Sequence, residues 1–521
     1  MMRRPVVVAV VVLIVVAMVL AAGAVAITGL LADDGGGPDR PDQPVRTTPA
    51  ADATVAPEPG LEPFYSQSLE WSECEAFWCS QVRVPLDYAD PGGETIDLAV
   101  LMVPARDPEA RIASLVVNPG GPGAPGTSYA AQAALAFRAP LLDRFDVVGF
   151  DPRGTGSSAP VDCLTDEQLD DYLAGDPDPD TAEEQQEFVA WSVELGRGCA
   201  ERSGDLAAHV STVEAARDLD VLRAVLGEST LTYFGASYGT KLGATYADLF
   251  PDRVGRLVLD GAVDPALPAR ELSLGQAEGF ETALRAYVGD CVESDDDCFL
   301  GDSVDEGVGR IREFLDSVDD EPLETGGERD LAVGNAFYGI VAPLYNRDYW
   351  FLLSQALQRG LDGDGSMLLE LSDLYSSRGP GGYLDNSSEA IYAINCLDDP
   401  WSIPAAEVPA QYADFERASP TFGRVFAWGL TGCEGIEVEA AEEPPVIDAP
   451  GTDPILVIGT TRDPATPMAW AEALADQLES GVLVRRDGDG HTGYNMGNAC
   501  VDDAVESYLV DGGVPEDGLS C

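Results

Sequence analysis

Positive charge is scarce in this sequence. Its 521 residues include 30 lysines and arginines against 91 aspartates and glutamates, which gives a formal net charge of −61. Lys241 is the only lysine. With so little positive charge, we expect neither nucleic acid nor an anionic lipid surface among the partners of the protein. The acidic excess predicts a solvated surface that suits a salt-rich medium, where counterions screen the self-repulsion.

Histidine is rarer still, and the CxxC motif is missing. His209 and His491 are the only histidines, so any reaction that needs an imidazole base must use one of them. No CxxC pair is present, which argues against a zinc ribbon and against a dithiol redox motif. We therefore expect no metal and no cofactor.

The ten cysteines indicate an oxidising compartment, because an even count in an exported chain is typical of disulfides. Connectivity cannot be fixed from the sequence, but the spacing suggests that neighbours pair. The suggested pairs are Cys74–Cys79, Cys163–Cys199, Cys291–Cys298, Cys396–Cys433 and Cys500–Cys521.

The N-terminus predicts export. Met1-Met-Arg-Arg4 precedes 28 residues without a charge, from 5 to 32. A signal-peptide core has about 7–15 residues and a bilayer span needs about 20, so this run is long enough to remain in the membrane. Segment 1–32 is therefore a membrane anchor or, with cleavage at Ala24-Val-Ala26, a signal peptide. Either alternative places the rest of the chain outside the cell or in the cell envelope. Segment 33–62, rich in proline, glycine and aspartate, is predicted to be a disordered linker.

Short apolar runs predict an α/β fold with a mostly parallel sheet. Six runs precede a long stretch with helical patterning, and two follow it. We therefore predict one interrupted eight-stranded domain, with core parts 63–265 and 451–521 and a helical cap, 266–450, inserted after strand six. The runs are Val82–Leu86, Thr95–Val103, Ser114–Asn118, Phe145–Phe150, Leu231–Ala236, Arg256–Leu259, Ile455–Gly459 and Val482–Arg485.

Gly235-Ala-Ser-Tyr-Gly239 matches the G-x-S-x-G nucleophile elbow. An apolar strand precedes this motif and a helical pattern follows it, which is the context that an elbow requires. The serine of an elbow lies on a strained turn, and the flanking glycines keep side chains away from it. Ser237 is therefore the predicted nucleophile.

A nucleophilic serine needs a base, and usually a carboxylate that orients the base. His491 follows the last strand in a glycine-rich loop and is the predicted base. His209 lies ahead of the nucleophile, just before a helix cap, and is predicted to be structural. Asp463, after strand seven, is the first candidate for the acid, and Asp260, directly after strand six, is its alternative. The order Ser237, Asp463, His491 is that of the α/β-hydrolase fold.

An oxyanion hole requires two backbone donors near the nucleophile. The first expected donor is the N–H of Tyr238. The second should lie in the turn after strand three, Asn118-Pro-Gly-Gly-Pro-Gly123. Its two prolines have no N–H, so Gly120, Gly121 and Gly123 are the candidates, and we choose Gly121. Arg153, in the loop Asp151-Pro-Arg-Gly-Thr-Gly156, is expected to brace neighbouring loops through hydrogen bonds.

Together these motifs resemble the exported tripeptidyl-aminopeptidase-like family of α/β hydrolases from actinobacteria. This family is related to proline iminopeptidases and to mycobacterial cell-envelope serine hydrolases. The resemblance runs from about Trp71 to Cys521 and includes Asp463-Pro-Ala-Thr-Pro467. Proline iminopeptidases have a histidine where Pro119 stands, so the tripeptidyl branch is the more similar one. The resemblance implies hydrolysis of peptides from their N-termini through an acyl-enzyme.

The leading hypothesis is an exported serine exopeptidase that releases short peptides or amino acids from substrates with a free N-terminus. The alternative is a carboxylesterase or lipase-like hydrolase of the envelope with the same triad. A non-catalytic binding protein is disfavoured by the complete Ser/Asp/His set. A peptidase cap needs a carboxylate for the substrate amine, whereas a lipase lid needs an exposed apolar helix. The acidic cap favours the peptidase, and Asp398, close to Cys396, is the candidate amine ligand.

Overall fold

The computed structural model describes residues 52–294, 298–442 and 444–521. The predicted anchor or signal segment, 1–32, lies outside the described residues, as does most of the predicted linker. Among the helices that are described, none has both the length and the apolar character needed to cross a membrane.

The end of the predicted linker is packed against the core. Ala53 is fully buried, and its carbonyl accepts a hydrogen bond of 3.1 Å from Arg223. Leu61 is also buried. The prediction of disorder over 33–62 is therefore wrong for residues 52–62. The prediction fails here because Arg223, which is far away in the chain, holds this backbone. The composition of the segment does not indicate that contact.

The core is a ten-stranded sheet in the order β1-β2-β3-β5-β4-β6-β7-β10-β11-β12. The pairs β1–β2, β2–β3 and β3–β5 are antiparallel, and the other pairs are parallel. The strands are β1 (Ser72–Cys74), β2 (Phe77–Pro85), β3 (Thr95–Val103), β4 (Ala113–Asn118), β5 (Phe145–Phe150), β6 (Leu231–Ala236), β7 (Val254–Asp260), β8 (Arg378–Gly379), β9 (Gly382–Tyr383), β10 (Ile455–Arg462), β11 (Gly481–Asp489) and β12 (Leu519–Ser520).

All eight predicted strands are present, as β2 to β7, β10 and β11. The sheet is larger than predicted because β1 and β12 extend its edges. These edge strands have three and two residues and are too short for a recognisable sequence pattern. The strands β8 and β9 form a separate hairpin in the insertion.

Helices cover both faces of the sheet, so its central strands are buried on both sides. Every residue of β5 is buried, for example. The helices of the first core part are α1 (Glu62–Tyr65), α2 (Gly126–Ala131), α3 (Ala133–Ala136), α4 (Ala139–Leu142), α5 (Asp166–Ala174), α6 (Ala182–Ser203), α7 (Thr212–Val225) and α8 (Tyr238–Leu249). The carboxyl ends of the parallel strands meet at one edge, which is where open α/β sheets bind their ligands.

The described residues between β7 and β10 form eight α-helices. Most of them enclose a hydrophobic cluster of their own, which includes Phe280, Leu353 and Leu368. The helices are α9 (Ala269–Ser294), α10 (Val304–Asp320), α11 (Val333–Val341), α12 (Trp350–Leu361), α13 (Ser366–Tyr375), α14 (Ser387–Asp398), α15 (Tyr412–Ala418) and α16 (Gly423–Trp428). By contrast, α14 packs into the main cluster through residues such as Ile394, so it joins the insertion to the core.

The core resumes with α17 (Met468–Gln477) and α18 (Ala499–Asp511). The five suggested disulfide pairs are confirmed. Cys500–Cys521 joins the first turn of α18 to the residue after β12 and so fixes the C-terminal end of the described chain.

Candidate active site

Ser237 lies between β6 and α8 in a strained backbone conformation, with φ 56° and ψ −126°. Positive φ is rare for residues with a side chain and marks strain at functional turns. A Cβ on Gly235 would lie 2.3 Å from the carbonyl oxygen of Gly239. A Cβ on Gly239 would lie 2.9 Å from the carbonyl oxygen of Asn118. The turn therefore requires both glycines of the motif.

His491 is hydrogen-bonded to Asp463. Its Nδ1 lies 2.8 Å and 2.9 Å from the two carboxylate oxygens. The buried carboxylate also accepts hydrogen bonds from the backbone N–H groups of Ala465, Thr466 and Thr492, at 3.0, 2.8 and 3.1 Å. These contacts fix the carboxylate, which in turn orients the imidazole and favours the tautomer with its proton on Nδ1.

Asp260, the alternative acid, orients a loop instead. Its two carboxylate oxygens accept hydrogen bonds from the N–H groups of Gly493 and Tyr494, at 2.7 and 2.9 Å. Burial raises the pKa of Asp260 to about 6, although the two hydrogen bonds oppose this shift. Of the two candidates, Asp463 is the one that the structure brings to His491.

The imidazole of His491 lies over the end of β7, beside the elbow. Its Cε1 would be 3.2 Å from a Cβ built on Gly261. The N–H of Ser237 donates to the carbonyl of Asp260, at 2.9 Å, so the elbow and this strand end are direct neighbours. His491 Nε2 is buried and has no hydrogen-bond partner among the described residues. That nitrogen is therefore available to accept a proton.

The environment of His491 stabilises its charged form. Burial lowers the pKa of the imidazole, but the charge and hydrogen bonds of Asp463, together with the charge of Asp260, raise it by more. The pKa of His491 therefore lies above the ordinary value of 6.5.

Tyr345, from the helical insertion, is a contact of the site that the sequence did not indicate. Its carbonyl accepts a hydrogen bond of 2.7 Å from the N–H of His491. Its ring also meets the imidazole edge to face, with centroids 5.4 Å apart. The two residues are far apart in the chain, and no local pattern predicts their contact.

The turn after β4 lies against the elbow through Gly120. A Cβ on this glycine would lie 2.8 Å from Cβ of Ser237 and 2.9 Å from the nitrogen of Tyr238. The N–H of Gly120 is occupied, because it donates to Oδ1 of Asn118 at 2.9 Å. The N–H groups of Gly121 and Tyr238 donate to no acceptor in the described part of the chain. The sequence offered Gly120 as a candidate donor, but the structure gives it a different role, the close approach of this turn to the elbow.

Asp398 lies where the insertion meets α8. Its fully buried carboxylate accepts hydrogen bonds from Lys241 Nζ at 2.7 Å and from the N–H of Thr212 at 2.8 Å. It also accepts a hydrogen bond from the hydroxyl of Thr212. The predicted role of Asp398 as an amine ligand stays a prediction, and its own charge is already compensated by a lysine.

Arg153 and His209 are structural, as expected. The buried Arg153 donates to both carboxylate oxygens of Asp218, at 2.7 and 2.8 Å, and to the carbonyl of His209 at 3.0 Å. His209 Nδ1 lies 2.9 Å from Glu214. Asp87, His209 and Glu214 offer ligand atoms within 4.8 Å of one another. However, Arg153 lies 3.4 Å from Glu214 and already supplies it with a positive charge.

The chain is similar to several known proteins. The family model described as TAP-like protein matches residues 419–521. Serine protease Hip1 of Mycobacterium tuberculosis is 35% identical over 88% of this chain and 92% of its own length. Carboxylesterase B of the same organism is 36% identical over 92% and 95%. Tripeptidyl aminopeptidase of Streptomyces coelicolor is 32% identical over 87% and 86%.

Solved structures include a proline iminopeptidase from Mycobacterium smegmatis. It is 15% identical, with a TM-score of 0.36, and the match covers 83% of this chain and 98% of that one.

Proposed function

This chain belongs to the tripeptidyl-aminopeptidase-like family of α/β hydrolases, and on that premise we propose that it is an exported serine exopeptidase. It releases short peptides or amino acids from the N-termini of peptides through an acyl-enzyme. The observation that supports this most is the Asp463–His491 pair, placed over the strand end that adjoins Ser237. Peptide hydrolysis is suggested by two relatives, the serine protease Hip1 and tripeptidyl aminopeptidase.

In the proposed mechanism, Oγ of Ser237 attacks the carbonyl carbon of the scissile peptide bond. Nε2 of His491 takes the hydroxyl proton and then gives it to the leaving amine, while Asp463 stabilises the imidazolium. The N–H groups of Tyr238 and Gly121 stabilise the developing oxyanion. A water molecule then attacks the acyl-enzyme. Nε2 of His491 takes a proton from this water and gives it to Oγ of Ser237, which frees the serine and releases the product.

Exopeptidase action also requires recognition of the substrate N-terminus. A peptide α-amine is positively charged below its pKa of about 8. Burying that charge is costly unless a carboxylate meets it, so the cap must supply one. The sequence points to the end of α14, where Asp398 and Asp399 are adjacent.

The proposed location is outside the cell or in the envelope. Five disulfides are typical of an extracellular protein. We propose that the N-terminal segment 1–32 directs export and, where it is not cleaved, anchors the protein in the membrane.

The second candidate is a carboxylesterase of the envelope. It is favoured by the relative named carboxylesterase B, which matches nearly the whole chain. The same serine, histidine and aspartate would serve ester hydrolysis, so the triad does not distinguish the two activities.

One substrate panel tests the proposal. Aminoacyl, dipeptidyl and tripeptidyl p-nitroanilides, each with a free and an N-acetylated amine, are compared with p-nitrophenyl esters of short acids. An exopeptidase turns over at least one free-amine anilide well and its acetylated form poorly. Turnover of the esters alone would favour the carboxylesterase. Labelling by a fluorophosphonate probe, and loss of that label in Ser237→Ala, tests the nucleophile independently.

A further inference from the structure

A cavity of about 510 Å³ lies between the helical insertion and α8, and we call it the cap cavity. This volume is within the range of about 300–1,000 Å³ typical of small-ligand sites. Its lining includes Lys241, one turn after Ser237 on α8, and Val263, which follows β7. The cap cavity is therefore walled in part by the elements that position the nucleophile.

Aromatic contacts connect the cap cavity to the triad. Tyr375 lines the cavity, and its ring lies 6.1 Å from that of Tyr345, between centroids. Tyr345 in turn contacts the imidazole of His491. Tyr345 therefore lies between the wall of the cap cavity and the imidazole of His491.

Several aromatic side chains line the cap cavity. Tyr338, Tyr375, Tyr392 and Trp401 all line it. Tyr375 and Trp401 are each 42% exposed, and the ring of Tyr375 stacks on that of Tyr338 with centroids 5.3 Å apart. Exposed aromatic rings at a concave site favour contact with an apolar or aromatic group of a ligand.

Three carboxylates line the cap cavity, and their states differ. Asp398 is fully buried and neutralised by Lys241. Asp264 is 8% exposed, and its Oδ1 accepts hydrogen bonds from the amide of Gln477 and from the N–H of Ala266.

Asp399 is the carboxylate best placed for a ligand. It is partly exposed, its Oδ1 accepts a hydrogen bond of 3.1 Å from the N–H of Trp401, and it forms no ion pair with any residue that the structure describes. It directly follows α14, whose C-terminal end adds negative partial charge and so favours a cation. The disulfide Cys396–Cys433 ties this helix end to the chain beyond α16.

We propose that the cap cavity binds the N-terminal residue of a peptide substrate, with its α-ammonium at Asp399 and a large apolar or aromatic side chain against Tyr375 and Trp401. This inference rests on the proposed exopeptidase function and narrows its substrate class. It also assigns the amine to Asp399 in place of Asp398.

Asp398 then has a different role, as a positioning residue. The hydroxyl of Thr212 donates to its carboxylate and lies 2.7 Å from the hydroxyl of Tyr238. With Lys241, these contacts hold the first turn of α8, which contains the proposed oxyanion donor. Removing the Asp398 charge should therefore slow every substrate alike, whether or not its amine is free.

The first experiment measures ligand binding without peptide turnover. Hydrolysis of p-nitrophenyl butyrate serves as the reporter, and phenylalaninamide and its N-acetyl form serve as competitive inhibitors. We expect the free amide to inhibit about tenfold more strongly, a difference that corresponds to about 1.4 kcal/mol. In Asp399→Asn this ratio should fall towards one, whereas Asp264→Asn, a matched change on the same cavity, should keep it.

The second experiment compares kcat/KM for the best free-amine anilide of the panel and its acetylated form. Asp399→Asn should reduce the preference for the free amine by about tenfold. Asp398→Asn should lower both values and keep their ratio. Trp401→Ala should reduce the preference for phenylalanine over alanine as the first residue by about threefold or more. Thermal melts identify any variant that fails to fold.

One outcome would overturn the inference while the proposed function stands: an Asp399→Asn variant that folds and keeps the preference for a free amine, above all if Asp398→Asn abolishes it. Peptide turnover with no preference for a free amine in the unmodified protein would contradict the inference and the exopeptidase function together. Ester turnover without any peptide turnover contradicts the exopeptidase function itself, and amide inhibition would then still report on the cap cavity.

Discussion

Asp463 meets His491 through a single ring nitrogen, Nδ1, with both carboxylate oxygens within 2.9 Å. The other ring nitrogen, Nε2, is buried and has no partner among the described residues. Asp260 also lies at a strand end, but it holds the backbone that follows His491. One aspartate thus orients the ring and the other orients its loop, so their substitutions should have different consequences.

Ser237→Ala and His491→Ala should each lower kcat by about 10⁴-fold or more, because triad members act as a unit. The double variant should be scarcely worse than either single variant for the same reason. Steady-state kinetics on the best panel substrate measures this, and unchanged thermal melts exclude unfolding. Substantial residual turnover in Ser237→Ala would show that another group is the nucleophile.

Asp463→Asn should cost about 10³–10⁴-fold in kcat, since an amide cannot hold the imidazole in the required tautomer. Asp260→Asn should lower kcat by less than Asp463→Asn does, but it should lower the free energy of unfolding by more. One buried N–H, of Gly493 or Tyr494, would lose its acceptor, at a cost of about 1–3 kcal/mol. Kinetics and urea denaturation separate the two effects. Loss of activity only in Asp260→Asn would reverse the assignment of the acid.

The acid side of the pH profile should report on His491. The base must be neutral to accept the serine proton, so kcat/KM falls as the pH drops through its pKa. Asp463 raises that pKa above 6.5, and the midpoint of the acid limb should lie above 6.5 as well. In Asp463→Asn the residual activity should show a lower midpoint, because burial then dominates. An unchanged midpoint would mean that another group controls this limb.

Removing the Cys500–Cys521 disulfide should lower the free energy of unfolding. The bridge closes a loop with a sequence separation of 21 residues. The chain-entropy model gives roughly 3 kcal/mol for a loop of this size. Chemical denaturation of Cys500→Ser/Cys521→Ser against the unmodified protein measures the loss. Mass spectrometry of a non-reduced digest checks the pairing, and a free cysteine at either position would refute it.

The sequence alone was enough to predict the features that depend on neighbouring residues or on a small number of candidate residues. Apolar runs located the central strands, and neighbour spacing gave all five disulfides. Because the sequence has only two histidines, the base had to be either His209 or His491. Contacts between distant residues were not predictable. Lys241 and Asp398 are 157 residues apart, and nothing near either residue in the chain indicates their ion pair.

The same limit applies to the functional surroundings of the triad. The glycines after β4 were recognisable as a turn, but which of them touches the elbow depends on the packing of β4 against β6. The contact between Tyr345 and His491 depends on how the insertion folds over the sheet edge. For this reason the sequence pointed to the end of α14 for amine recognition, while only side-chain contacts distinguish Asp398 from Asp399.

The alkaline side of the pH profile should depend on the substrate and not on the enzyme. An α-amine with a pKa of about 8 loses its charge as the pH rises, and with it the attraction to Asp399. The kcat/KM for a free-amine anilide should therefore fall above about pH 8, whereas that for the acetylated anilide or for p-nitrophenyl butyrate should not. Profiles for all three substrates from pH 6 to 10 make the comparison, after correction for background hydrolysis. If kcat/KM fell at high pH for all three substrates, the fall would come from a titrating group of the protein and not from the substrate amine. A limb confined to the free amine, and weakened in Asp399→Asn but not in Asp264→Asn, is what charge recognition at this carboxylate requires.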